Sequence, residues 1–367
     1  MTRAAQAAAA EHAVRRRHLR RTWWYPSASL AVPSHPADWK HRLFVEYHYW
    51  WQAHLLDCLI DAELRDPQPA RRRLIERLPF ALRRRNAGRW LNRYFDDIAW
   101  LALAMGRAER LLGVEYGSAR LLIAQTLYQA WRTDAGGIPW RRGDDFRNVP
   151  ANGSMAIVMA RLGRIRRAGE ALDWIHDHLW DSNTDLILEG LRSDGTDTRI
   201  FTYNQGLVIG AELELVLAGG DPARLHRLVA ALHSLLARDD VLPGCGGGDG
   251  GLFAGITVRY LALVADSLPG VDAAARQTRD RARTLVLTSA DACWAHRADT
   301  ADGPVFGAEW DTPAQVPTRR GRVGHGGASS QSPTRDLTVQ LSAWMLLEAA
   351  ASLDGGTGEP VPPAARH

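Results

Sequence analysis

Apolar side chains recur at three- and four-residue spacing through almost the whole chain, and period-two alternation of strand length is scarce. That periodicity commits the chain to an all-α fold. Segments 4–21, 39–63, 96–112, 118–133, 151–163, 166–181, 204–219, 221–237, 250–268, 272–296 and 333–353 read as helices, and 70–91 reads as one more. Gly113, Gly117, Gly136-Gly137, Pro150, Gly219-Gly220 and Leu268-Pro269-Gly270 punctuate them. Only 185–191 and 199–202 alternate as strands do, so a short hairpin or β-bridge on a loop is expected there. Near a dozen helices with short links pack mostly as antiparallel neighbours. The chain carries no clean repeat of fixed period, which disfavours a TPR or HEAT array. Its 367 residues allow two domains or one large one. No Pro/Ser linker divides the middle, so 1–354 are expected to form one domain and the Gly/Pro/Ala-rich 355–367 a disordered tail.

Charge narrows the function classes. The net charge is only +4, and the basic residues are nearly all Arg, Lys40 being the one Lys. They are interleaved with Asp and Glu, and only 15–17, 71–73 and 83–85 form runs. A nucleic-acid surface would gather them on one face, so solvated helix faces are the expectation and a nucleic-acid partner is not. Cys58, Cys245 and Cys293 are too few and too far apart for a disulfide framework or a CxxC metal pair. No metal and no organic cofactor is expected. The first 21 residues read as an Ala/Arg helix rather than a signal peptide, and no stretch is long and apolar enough to span a bilayer. A cytoplasmic location is therefore expected, or a secreted one for a chain that has lost a leader. Oligomeric state is left open.

The loops between helix pairs carry Trp, Asn, Asp and Gly together: Gly136-Gly137-Ile138-Pro139-Trp140, Phe146-Arg147-Asn148, Tyr203-Asn204-Gln205-Gly206 and the 246–251 run around Asp249. A closed ring of helical hairpins would bring alternate loops to one end, where they could line a cleft. The 246–251 run resembles a phosphate loop by composition but lacks the preceding strand and the GK[ST] ending. Asn and Gln offer both donors and acceptors, as sugar hydroxyls require. The 14 Trp supply flat faces and an N–H donor suited to pyranose rings, with Trp51, Trp140 and Trp310 expected to be the exposed ones.

Asp96 and Asp97 follow Tyr94-Phe95 and open a long apolar helix. Adjacent Cα atoms lie ~3.8 Å apart and helical neighbours diverge by ~100°, which places the carboxyl groups roughly 5–7 Å apart. Retaining glycosidases need about 5–5.5 Å between their two carboxyl groups and inverting ones about 6.5–9.5 Å, so adjacency favours a nucleophile and an acid/base. A like charge next door and packing against Trp100 would both raise one pKa. The plain alternative is a helix cap followed by a first-turn acid. Asp144-Asp145, flanked by Arg141, Arg142 and Arg147, reads as ion-paired.

With those residues in place the chain resembles glycoside hydrolase family 76, the α-1,6-mannanase family. The resemblance is carried by 47–54 (YHYWWQAH), 93–104 (RYFDDIAWLALA), 136–152 (GGIPWRRGDDFRNVPAN), 202–210 (TYNQGLVIG), 247–261 (GGDGGLFAGITVRYL) and the end helix after Ser330-Gln331-Ser332. It implies an (α/α)6 barrel, a six-hairpin toroid, and retaining hydrolysis of α-1,6-mannosidic bonds. It implies Asp96 as nucleophile and Asp97 as acid/base. By motif position Trp51, Trp140, Asn148, Asn152, Tyr203, Asn204, Gln205 and Asp249 become the expected substrate contacts, with mannan or a mannose-containing oligosaccharide as partner. This chain departs from the family in Tyr94-Phe95, where Tyr-Tyr is usual, and in Phe253-Ala254-Gly255, where Phe-Lys-Gly is usual. The alternatives are transglycosylation and a non-catalytic glycan-binding protein on the same barrel.

Overall fold

A computed structural model describes residues 1–132, 135–317 and 331–355. Among them the chain forms thirteen α-helices: α1 (Arg3–His18), α2 (Trp39–Arg42), α3 (Tyr49–Arg65), α4 (Pro69–Arg85), α5 (Phe95–Leu112), α6 (Gly117–Gln129), α7 (Val149–Arg161), α8 (Ile165–Leu179), α9 (Thr202–Leu217), α10 (Ala223–Ala231), α11 (Phe253–Ser267), α12 (Ala273–Ala295) and α13 (Leu337–Gly355). Helix α3 packs on α5, α5 on α7, α7 on α9, α9 on α11, α11 on α13, and α13 back on α3. The ring is closed, and α1, α4, α6, α8, α10 and α12 lie outside it. This is the (α/α)6 barrel.

Burial separates the two layers. An inner helix is covered on every side, and in α7 every residue from Val149 to Ala160 is buried. An outer helix buries one stripe: in α8 this is Ala168, Ala171, Leu172, Trp174, Ile175 and Leu179. Antiparallel hairpins bring the inner helices' N-termini to one end, where the functional loops lie. Two glycines let α9 approach α11 closely. A Cβ on Gly206 would sit 2.6 Å from Thr257 Cα, and one on Gly210 would sit 2.3 Å from the Tyr260 ring. Gly210→Ala is therefore expected to destabilise the barrel by about 1–3 kcal/mol through overpacking, despite the ~1 kcal/mol that Ala gains in helix propensity. A thermal melt would read it as a drop of several degrees.

The structure departs from the expected boundaries in several places. The first helix ends at His18, and β1 (Leu19–Thr22) pairs antiparallel with β2 (Tyr25–Ala31) against α4. The 39–63 segment is two helices, because Phe44 (φ 55°) and His48 (φ 46°) take left-handed backbone and break it. Residues 185–191 contribute to two pairings: β4 (Trp180–Asp181) with β5 (Leu186–Ile187), and β6 (Gly190–Arg192) between β3 (Arg147–Asn148) and β7 (Gly195–Asp197). Residues 199–202 are not a strand; Thr202 already opens α9. A last hairpin joins β8 (Ala298–Thr300) to β9 (Gly303–Val305). Of the expected tail only Gly355 is described, as the end of α13; 356–367 and the Ser329-Ser330 pair lie outside the described residues.

Candidate active site

The first turns of the inner helices carry the site. Tyr94 is the N-cap of α5 in extended backbone, without a side-chain cap, and Asp96 and Asp97 occupy the helix's first turn. Neither aspartate is spent on capping. Asp96 accepts a hydrogen bond from Trp140 Nε1 at 3.1 Å through Oδ2. No donor among the described residues reaches its enclosed Oδ1. Asp97 accepts from Asn92 Nδ2. Burial pushes Asp96 up to about 7, against the Trp140 donor and the helix-end N–H groups, with the Asp249 charge adding to the rise. Asp97 is pushed up well beyond the carboxylate range by burial and then by the charge of Asp96. When one of the two is ionised, the other holds its proton.

Asp249, in the tight turn Gly248–Leu252 before α11, stands close enough to both aspartates to influence them, and accepts from Trp51 Nε1 at 2.9 Å. Tyr203, in the first turn of α9, stacks on Phe253 with ring centroids 3.8 Å apart and planes 3° from parallel. Burial and the Glu189 charge push its phenol pKa well up, so it stays a neutral donor beside Asp96. Trp140 is half-buried and meets Tyr94 edge-on at 5.0 Å.

Five of the expected contacts sit elsewhere. Trp51 is fully buried, its face covered by the His48 ring at 3.9 Å, so it braces Asp249 from behind. Trp310, expected to be exposed, is also buried. Asn148 is the side-chain N-cap of α7. Asn152 spends its amide on Ile138 N, Ile138 O and Asn148 O. Gln205 likewise ties Ile187 N and O and Phe201 O. Amides suited to sugar hydroxyls suit orphan loop backbone equally well, and here the backbone takes them. Asn204 is buried one layer back, donating to Glu189 Oε2 at 2.7 Å. The Asp144–Arg141 ion pair is present at 2.7 Å, and Arg192 is the second cation near Asp144, at 3.6 Å.

Glu189 had no motif to announce it. It is buried, accepts from Asn204, lies 3.4 Å from the Tyr203 hydroxyl, and is pushed up to about 7 by burial. The only signal was an acid closing the apolar run Leu186-Ile187-Leu188. Raised carboxyl pKa values stabilise the fold below the unfolded-chain range, near 4, and that stability is lost as pH rises through about 7. Urea midpoints are therefore expected to fall between pH 5 and pH 8, and Glu189→Gln to flatten that slope.

A comparison with known proteins supplies the lineage. The profile of Glycosyl hydrolase family 76 matches residues 8–338. Curated relatives include Mannan endo-1,6-alpha-mannosidase DCW1 of Candida glabrata, 26% identical over 193 residues, covering 47% of this chain and 42% of that protein. Mannan endo-1,6-alpha-mannosidase DFG5 of Saccharomyces cerevisiae is 25% identical over 219 residues, covering 51% and 46%. The match thus spans under half the length of each of these two relatives. The solved α-1,6-mannanase GH76A of Salegentibacter sp. HEL1_6 superposes with TM-score 0.80 at 26% identity, covering 96% of this chain and 99% of that one. An inactive variant of that enzyme, with two consecutive aspartates replaced by asparagine, is solved with α-1,6-mannotriose and fits equally well, with TM-score 0.80, 26% identity and coverage of 96% and 99%. A profile match over nearly the whole chain, on a closed double ring of helices with a carboxyl pair at its mouth, means that this chain belongs to glycosyl hydrolase family 76.

Proposed function

We propose that the protein is a retaining glycoside hydrolase that cleaves α-1,6-mannosidic linkages in mannan or manno-oligosaccharides, with Asp96 as nucleophile and Asp97 as acid/base. The observation that carries this reading is the divided environment of the pair. Asp96 has a donor on one oxygen and none on the other, while burial, and after it the charge of Asp96, keeps the proton on Asp97. The Asp96 carboxylate attacks the anomeric carbon as Asp97 gives its proton to the departing glycosidic oxygen. The mannosyl–Asp96 ester is then attacked by water, whose proton returns to Asp97, and the carboxylate of Asp96 leaves. Trp140 steadies Asp96, and Tyr203 and Asp249 are the groups that would meet sugar hydroxyls. The inactivated Asp-to-Asn relative with its bound mannotriose supports both substrate and pair.

The test is incubation with linear α-1,6-manno-oligosaccharides, following the first-formed product by NMR. Release of the α-anomer is expected; a β-anomer first product means inversion and removes Asp96 as nucleophile. Trp140→Phe keeps an aromatic ring but deletes the donor on Asp96. It is expected to raise the pH at which Asp96 ionises, with a loss of about tenfold or more at pH 6 and a smaller one at pH 8, seen in the kcat/KM profile. The same proposal takes 1–354 as one catalytic unit, supported by the α13-to-α3 closure. No helix among the described residues is long and apolar enough to cross a membrane. A cytoplasmic site of action is part of the proposal, supported by three free cysteines, and cell fractionation tests it.

A further inference from the structure

One outer face combines exposed apolar side chains with concentrated positive charge, and the hydrolase reading uses neither. Trp23, at the tip of the β1–β2 hairpin, is 72% exposed, and Trp39 on α2 is 64% exposed. Leu43 and Val45, just after α2, are about half exposed. They form one patch. The Trp23 ring meets Trp24 edge-on at 5.4 Å, and Trp24 meets Phe44 at 5.4 Å, between Leu43 and Val45. Trp39 and Leu43 are one helical turn apart, joined by a backbone hydrogen bond.

Residues 20–46 and 77–85, which include the hairpin, α2 and half of α4, contain eight Arg or Lys and two acids. That net +6 exceeds the +4 of the whole chain, so the remainder is slightly negative. The two segments pack together: Arg77 donates to Ser27 O, Trp24 Nε1 to Ala81 O, and Arg84 covers the Tyr25 ring at 4.2 Å. Many of these donors go to carbonyls rather than carboxylates. Arg20 bonds Leu19 O and Arg17 O, Arg42 bonds Ala37 O, and Arg85 bonds Phe44 O. A guanidinium held by carbonyls keeps its charge for an outside partner. Arg20 and Arg42 stand near enough for like charge, after burial, to lower the Arg20 pKa.

We propose that this face docks the protein on the surface of an anionic lipid bilayer, with Trp23 and Trp39 at headgroup depth and the arginines on lipid phosphates. Indoles favour that interface, and basic side chains add attraction to anionic headgroups. The aliphatic anchors decide against a nucleic acid, because Leu43 and Val45 offer no face for base stacking. The patch also lies at the rim of the cleft. Two residues beyond Val45, Tyr47 is covered by Arg85 at 4.6 Å and is close enough to Asp97 for that charge to raise its pKa. Docking would hold the cleft mouth at the bilayer, within reach of lipid-linked glycans.

The inference is independent of the hydrolase reading, and its test leaves the active site untouched. Sedimentation of the full chain with vesicles of phosphatidylcholine alone, and of phosphatidylcholine with phosphatidylglycerol, reads it directly. Binding to the mixed vesicles, weakened by salt, is expected. Trp23→Ser with Trp39→Ser should lower partitioning about tenfold or more, and Arg20→Gln with Arg42→Gln by about tenfold. Hydrolysis of soluble oligosaccharide should stay unchanged in both pairs, and the Trp pair should melt as the wild type does, since both indoles are exposed. Absence of binding to the mixed vesicles overturns the proposal. So does equal binding to neutral vesicles. Binding indifferent to the Trp pair but competed by heparin also overturns it, and makes the face a polyanion site.

Discussion

Asp96→Asn is expected to end turnover of α-1,6-manno-oligosaccharides, with kcat/KM falling by at least ~10³-fold, because the amide cannot form the glycosyl ester. The substitution is nearly isosteric, and Trp140 Nε1 can still donate to the amide oxygen, so lost activity would not reflect a lost fold. Asp97→Asn should cost about 10²–10⁴-fold on the natural linkage but far less on an aryl mannoside, whose leaving group needs no proton. Azide should restore the second step of that variant and yield the α-mannosyl azide, since a small anion needs no general base. An α-mannosyl azide from Asp96→Asn rather than from Asp97→Asn would exchange the two roles; a β-mannosyl azide from Asp96→Asn would keep them. Full activity in both variants would remove the pair from the mechanism. Each amide also removes part of the buried like-charge repulsion, so both variants should resist urea better than wild type at pH 8.

Asp57→Ala is expected to remove about 3–5 kcal/mol of stability, the scale for breaking a buried ion pair by deleting one partner. Asp57 and Asp61 lie one turn apart on α3, and each bridges Arg107 of α5 and Arg259 of α11. The four contacts run from 2.5 to 2.8 Å, and all four side chains are largely buried. Helix α11 is not α3's neighbour in the ring, so Arg259 reaches across the interior and fixes α3 relative to α5 and α11 together. Removing Asp57 leaves two guanidiniums sharing one carboxylate in a place where water is scarce. Replacing all four residues by apolar ones of similar volume should cost far less, because the desolvation penalty disappears with the charges. Chemical denaturation of the two variants separates those outcomes; equal losses would mean that packing, not charge, sets the cost.

The helices of both layers were legible because burial writes itself into spacing. The inner helices show long apolar runs such as Ile98–Met105, and the outer ones show stripes. The breaks at Phe44 and His48 were not legible, since the apolar spacing of 39–63 continues through them and left-handed backbone at a Phe or a His has no compositional mark. The β1–β2 hairpin was hidden in the same way, behind an Arg-rich helix end.

For the site, the sequence by itself determined that two carboxylates would stand side by side at the start of a buried helix, with Trp140, Tyr203 and Asp249 in loops or helix starts that a hairpin ring brings to the same end. Chain geometry fixes the first, and alternation of helix direction fixes the second. Only the tertiary structure decided which polar side chains remain for a ligand. An Asn or Gln has no way of marking in sequence whether its amide will meet a sugar hydroxyl or a stranded backbone group. Packing settled Asn148, Asn152 and Gln205 on backbone, because unpaired buried N–H and C=O groups cost more than a surface amide returns. The same packing put Glu189 beneath Tyr203, a contact between residues 14 positions apart that no spacing rule encodes.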